Sequence, residues 1–512
     1  MKKVFSFFAL LAVILLASCS KQPQGASLVP DDATFVLRVD IAKCAKQAGL
    51  GKGSSKLVDQ LKGQVSSLVE NKDLQSKITA IIDDPSKSGI DLSEPIFAYV
   101  SGNLEKNPRL ALVGAVSSQD KLSSLLEDVL KEVGEGKLEE ADGAKYLAED
   151  DAAFIFTPEW FFIGATDNAK STISELNDRA NGKGSLSGHK AMERLCAQDG
   201  MLQVLILGEG IASLNQSAEV AKMLPEGLKL RDMASLISLE MAKGEATLSS
   251  ETIALSKEWE DYTNKVEKAL KPITKDQVKY ISDKGLSMLV NLDLSDAGQW
   301  IDQLATMFNA TEEHAEDIAK VKKIIAGFDG TLALDFYGLN EDNNMPLMAI
   351  YAGTKDSAPL DAILAEAGDI DELQETGDHM YQVPMDYDYD YDDETGDYSR
   401  TPTKYGAFGF KQGQTYFSTN AEGLFVEPAN AYPFSAVKGK GFFMRFNFGL
   451  IDDLASNFGE GGEAIAKEVA RHFDYAEMYI EDGGYRSVLR LVTKDKEKTP
   501  LESILSLIEE NL

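Results

Sequence analysis

The side chains most suited to chemistry stand in one short run, Asp386-Tyr387-Asp388-Tyr389-Asp390-Tyr391-Asp392-Asp393-Glu394-Thr395-Gly396-Asp397. Asp386, Asp388, Asp390, Asp392, Asp393 and Glu394 concentrate carboxylates that could hold Ca²⁺, a hard cation that prefers oxygen ligands. An EF-hand loop needs Gly at its sixth position and a bidentate Glu at its twelfth. Counted from Asp386, those places hold Tyr391 and Asp397, so that motif fails. If the run is extended, Tyr and Asp face opposite sides, and the Tyr side could stack on a glycan or a partner protein. The plainer reading is a solvated acidic hairpin loop between two strands.

The second chemical residue is Cys19. Met1-Lys2-Lys3 is a basic start, and an apolar run from Val4 to Ala17 follows, broken only by Ser6. That run is too short for a helix across roughly 30 Å of hydrocarbon, which takes about 20 residues. A basic start, a short apolar stretch and small residues at the exit describe a secretory signal peptide. The exit Leu16-Ala17-Ser18-Cys19 is similar to the bacterial lipobox, in which the Cys is lipidated and becomes the new N-terminus. One acyl chain binds a membrane marginally and two or more bind it durably, so the expected partner is a membrane, reached through lipid on Cys19. Ser20 follows the Cys and no acidic run does. This points to the outer membrane facing the periplasm, with surface display as the alternative.

No catalytic residue emerges. The four histidines are His189, His314, His379 and His472, and His314-Ala315-Glu316 lacks the second His of a metalloprotease helix. There is no G-x-S-x-G. The glycine-rich stretches at Gly49-Leu50-Gly51 and Gly182-Lys183-Gly184 lack the spacing of a phosphate loop. Of three cysteines, Cys44 and Cys196 remain after lipidation. They read as buried thiols, and no CxxC supports redox or zinc chemistry. The net charge of −32 repels phosphate backbones and argues against nucleic acid.

The elements that must position these residues repeat along the chain. Ala33 to Val39 alternates, ends in Asp40 and leads into a helix; Leu286 to Leu292, ending in Asp293, does the same. Pro95–Val100 with Arg109–Val116 matches Thr331–Tyr337 with Met345–Ala352, and each pair leads into a helix. Ala153–Thr157 with Trp160–Ala165 matches Ala407–Lys411 with Gln414–Ser418. Period-two alternation supports the strands, and apolar spacing of three and four supports the helices. The expected fold class is α+β, with two similar halves built from βαββα units on antiparallel sheet, ferredoxin-like in layout. With 512 residues, 44% of them hydrophobic, more than one domain is expected. The expected division is a signal peptide at 1–18, a tether at 19–28, a first domain at 29–270, a connector at 271–284 and a second domain at 285–512.

Val29-Pro30-Asp31-Asp32-Ala33, followed by the strand ending in Asp40 in a chain that starts like a lipoprotein, resembles the Bacteroidota lipoprotein family called domain of unknown function 4836. The likeness runs from about Leu28 to the C-terminus. It implies an envelope lipoprotein and supplies no catalytic residues. The leading expectation is therefore a non-enzymatic envelope protein, without cofactor, that binds a protein or glycan. Two alternatives stand: an envelope hydrolase with a carboxylate-based site, and a Ca²⁺- or glycan-binding module using the run at 386–397.

Overall fold

The computed structural model describes residues 23–48, 56–134, 136–212, 221, 224–225, 227–307, 314–340, 345–367, 372–391, 398–421, 424–428, 431–455, 459–481 and 486–504. The chain divides into two compact units, Met1–Glu260 with Lys496–Leu512, and Asp261–Asp495.

Among the described residues, the first unit holds ten strands: β1 (Ala33–Val39), β2 (Ile96–Ser101), β3 (Arg109–Ala115), β4 (Glu139–Ala141), β5 (Ala144–Glu149), β6 (Ala152–Phe156), β7 (Trp160–Ala165), β8 (Leu202–Leu207), β9 (Met233–Ala242) and β10 (Glu245–Ala254). All their pairings are antiparallel, in the order β10-β9-β8-β1-β2-β3-β7-β6-β5-β4. Both faces are covered. Phe97, Val113, Ile155 and Phe162 pack with Ile173 and Leu176 of the helix Ala169–Ala180. Phe154, Phe156 and Phe161 pack on the other side with Leu122 and Leu126 of the helix Gln119–Val133. Burial on both faces explains why β6 and β7 read as nearly unbroken apolar runs; Ala165, at the end of β7, is exposed.

The second unit holds β11 (Leu286–Asn291), β12 (Phe328–Leu339), β13 (Pro346–Thr354), β14 (Gln374–Gly377), β15 (Met380–Tyr391), β16 (Tyr398–Lys411), β17 (Gln414–Ser418), β18 (Phe442–Asn447), β19 (Phe473–Ile480) and β20 (Arg486–Thr493). Their order is β20-β19-β18-β11-β12-β13-β17-β16-β15-β14, again antiparallel throughout. This is the order of the first unit with every strand ten places on. The registers correspond too: Val36, four residues before Asp40, faces Tyr99, and Leu289, four before Asp293, faces Ala333.

The mixed α/β class with extensive antiparallel sheet is as expected, but two details differ. A split βαβ unit leaves room for a strand between its first two, whereas here β1 and β2 pair directly. Three helices, Ile41–Gln47, Lys56–Leu68 and Lys72–Asp83, occupy the connection and return the chain beside its own starting strand. Part of the stretch 271–284, expected as the connector, packs into the second unit. Ile273, Val278 and Ile281 are buried in the second unit's core, and the Lys and Asp residues between them mask that apolar spacing in the sequence.

Candidate functional site

The first half of the Asp/Tyr run, residues 386–391, lies in β15 rather than in a loop. Tyr387 faces Pro402, Tyr389 faces Arg400, and Asp390 faces Ser399 across β16. Residues facing each other across a pair share a side of the sheet, so Tyr387, Tyr389, Arg400 and Pro402 form one face, and Asp388 falls on the other. The Arg400 guanidinium stacks over the Tyr387 ring at 4.7 Å. Glu372 ties the two together, accepting from the Tyr387 hydroxyl at 2.5 Å and from Arg400 Nη2 at 2.6 Å. The Tyr389 ring lies 6.3 Å from that of Tyr387 and is 68% exposed. A two-stranded ribbon is marginal by itself; this stack and clamp hold the face in shape.

The same geometry bears on calcium. Asp386 sits at a register irregularity and accepts from the Tyr387 N–H at 3.0 Å. Same-face neighbours along one strand are about 7 Å apart. A six- to eight-oxygen shell needs ligands that converge, and among the described residues no group of three acidic, His or Cys side chains does so. Asp392, Asp393, Glu394 and Cys19, the residue expected to carry lipid, lie outside the described residues.

The first unit contains a polar cavity of about 190 Å³. Its floor is sheet, from Tyr99, Ala111 and Phe162; its wall is the helix Ala169–Ala180, from Thr172, Glu175 and Arg179. Asn168 caps that helix by accepting from the Lys170 and Ser171 N–H groups. Thr166 and Thr172 share a hydrogen bond of 2.6 Å that joins strand end to helix. Arg179 Nη2 donates to Glu175 at 3.2 Å, one turn back, and Arg109 Nη2 donates to Asp167 at 3.2 Å. The Tyr99 hydroxyl is within hydrogen-bond reach of Arg179, and burial pushes its phenol up to about 12. Tyr99 is therefore neutral and both a donor and an acceptor.

Ser357, Asp361 and His379 form a cluster that no motif announces. His379 Nε2 is 3.4 Å from Ser357 Oγ, and its Nδ1 is 3.1 Å from Asp361. Sequence reasoning found no nucleophile–base arrangement, and these atoms are spaced like one. The Ser357 hydroxyl, however, donates to the same Asp361 carboxylate at 3.1 Å. A base must receive that proton for the hydroxyl to attack. One carboxylate gripping both groups makes a lock between the start of the helix Ala358–Ala367 and the β14–β15 turn.

The buried charges are likewise structural. Glu477 lies between Arg445 (3.4 Å) and Arg490 (3.3 Å) and accepts from Tyr432 at 2.9 Å. Arg38, in β1, donates to the Gly200 carbonyl and Gln203. Cys44 and Cys196 are free thiols, and burial pushes each up to about 11, far from the thiolate that reactivity requires.

The run at 386–397 stands out in the sequence, and the cavity does not. Tyr99, Arg109, Glu175 and Arg179 come from separate elements with no fixed spacing. The available signal was the Thr166-Asp167-Asn168 stretch, whose counterpart recurs at Thr419-Asn420, but nothing local ties it to Tyr99.

Fold and site define a mixed α/β protein of two antiparallel-sheet units, with a polar cavity in one and a tyrosine-faced ribbon on the other. The family described as domain of unknown function (DUF4836) matches residues 26–392, and the chain belongs to it. No curated protein matches the chain. Crystal form IV of TP0453 is similar over 45% of this chain and 81% of that one, at 14% identity and a TM-score of 0.28. Crystal form I of the same protein matches over 46% and 79%, at 14% and 0.26. Likeness at that level carries no argument about fold or function.

Proposed function

We propose that this is a lipid-anchored envelope protein that binds a partner through the tyrosine face of the β15–β16 ribbon, without catalysing a reaction. The observation that carries this reading is the clamped Tyr387–Arg400–Glu372 stack beside exposed Tyr389. Tyr and Arg dominate the energetics of protein interfaces, and side chains held in place before contact lose little entropy on binding. Asp388, on the opposite side, is exposed to solvent. The two halves read as an internal duplication, since strand order and register repeat. The ribbon then becomes an elaboration of one copy, because the matching strand pair β5–β6 of the first unit spans only Ala144 to Phe156.

The anchor in this reading is lipid on Cys19 after removal of residues 1–18, in a Bacteroidota-type outer membrane with the body in the periplasm. Among the described residues, no helix is long and apolar enough to cross a membrane. The test places a photo-crosslinking amino acid at position 389 in cells, with position 465 as an exposed control (Ile465 is 69% exposed). A discrete adduct from 389 alone is expected, together with loss of membrane fractionation for Cys19→Ala. Equal adducts at both positions, or none, would overturn the ribbon; unchanged fractionation would overturn the anchor.

A further inference from the structure

We infer that the cavity between β2–β3–β7 and the helix Ala169–Ala180 binds a neutral polyhydroxylated ligand, a single sugar residue. The volume, about 190 Å³, lies below the roughly 300–1,000 Å³ of sites for drug-sized ligands, so the occupant is one small unit. Charge selects its chemistry. Arg109 and Arg179 are each already held by a carboxylate, Asp167 and Glu175, and Asp32 adds a further acid to the lining. A charged ligand must break one of these pairs or face a like charge. A neutral one leaves them whole.

The pairs still have capacity to spare. A guanidinium carries five N–H donors and a carboxylate accepts at about four positions, and each pair uses one N–H of its arginine. Sugar hydroxyls donate and accept together, and so match a wall that alternates guanidinium, carboxylate, Tyr99 and Thr172. Ala111, Ala165 and Phe162 supply an apolar floor for the C–H edge of a ring. The groups are held beforehand by the one-turn Glu175–Arg179 pair and the Thr166–Thr172 bond.

The fold does not require the opening. At the corresponding sheet positions of the second unit, the register that places Ala111 opposite Tyr99 and Gly164 places Tyr351 opposite Ala333 and Tyr416. There Tyr351 and Tyr416 pack on Phe425 at 5.4 and 5.1 Å, and both are buried. One unit plugs the position with rings, and the other keeps it open and polar.

The test uses the full chain in a detergent without a sugar headgroup, titrated by calorimetry with glucose, galactose and N-acetylglucosamine. At least one should bind with one-to-one stoichiometry. Arg109→Ala and Glu175→Gln should each weaken it roughly tenfold, as expected for losing a hydrogen bond to a charged group, without lowering the melting temperature. Should either variant destabilise the chain, Thr172→Val supplies the same comparison. Tyr389→Ala should leave sugar affinity unchanged, which separates this site from the ribbon. Absence of binding by all three sugars, undiminished binding in the variants, or competition by glycine or inorganic phosphate would overturn the inference.

Discussion

A single buried carboxylate shows how this chain couples to pH. Asp335 is 4% exposed and accepts from the Ser282 N–H at 2.9 Å and from the Ser282 and Ser287 hydroxyls. Burial outweighs those bonds and, with Asp283 nearby, raises its pKa from 3.8 to about 6. Between about pH 4 and 6 the folded state therefore holds a proton that the unfolded chain has released. The native state binding more protons means stability falls as pH rises through that window and levels off above it. The full drop is on the order of 3 kcal/mol, because each tenfold change in proton affinity is worth about 1.4 kcal/mol. Asp335→Asn removes the titration. Denaturant unfolding from pH 4 to 7 should show the variant gaining on the parent as pH rises; a constant difference would mean that Asp335 ionises normally in the fold.

At the scale of elements, each opening strand ends in Asp because the next element needs a cap. Asp40 accepts from the Lys43 N–H at 3.0 Å and starts Ile41–Gln47. Asp293 accepts from the Ser295 N–H at 3.0 Å, and that hydrogen bond, with Lys271 beside it, brings its carboxyl down to about 2. A strand with Asp at its exit is legible because the side chain satisfies an N–H that the first turn leaves open. Asp40→Ala should cost about 1 kcal/mol in unfolding free energy, and Asp40→Asn far less, because Asn caps as well. Equal losses would assign the effect to charge and not to the cap. The β15–β16 ribbon was less legible. Asp is a poor strand residue in general, and the run does not announce the register with β16 that sets Asp386 opposite Lys404 and Tyr389 opposite Arg400.

On the scale of the whole chain, the C-terminal stretch from Lys496 belongs with the first unit. The Gly244 N–H donates to the Lys498 carbonyl at 2.8 Å, Lys243 pairs with Glu497 at 3.0 Å, and the Thr499 hydroxyl donates to the Gln47 carbonyl. Deleting residues 496–512 should lower the melting temperature of the first unit and speed hydrogen exchange at Gly244, because each lost hydrogen bond leaves about 1 kcal/mol unrecovered. Unchanged exchange there would show that the stretch is not integrated. The expected boundary at residue 285 placed all later residues in one domain. Reading the chain linearly gave no sign that its last part serves the first unit, since that membership rests on contacts 254 to 452 residues apart in sequence.

What the sequence settles by itself is local and periodic. Alternation marks most strands and Asp marks caps, because each depends on neighbours within a few residues. Tertiary structure decided the rest: that β1 lies beside β2, that Ile273, Val278 and Ile281 enter a core, and that Tyr99, Arg109 and Arg179 meet around one cavity. Those facts depend on which distant surfaces exclude water together, and no spacing along the chain encodes that.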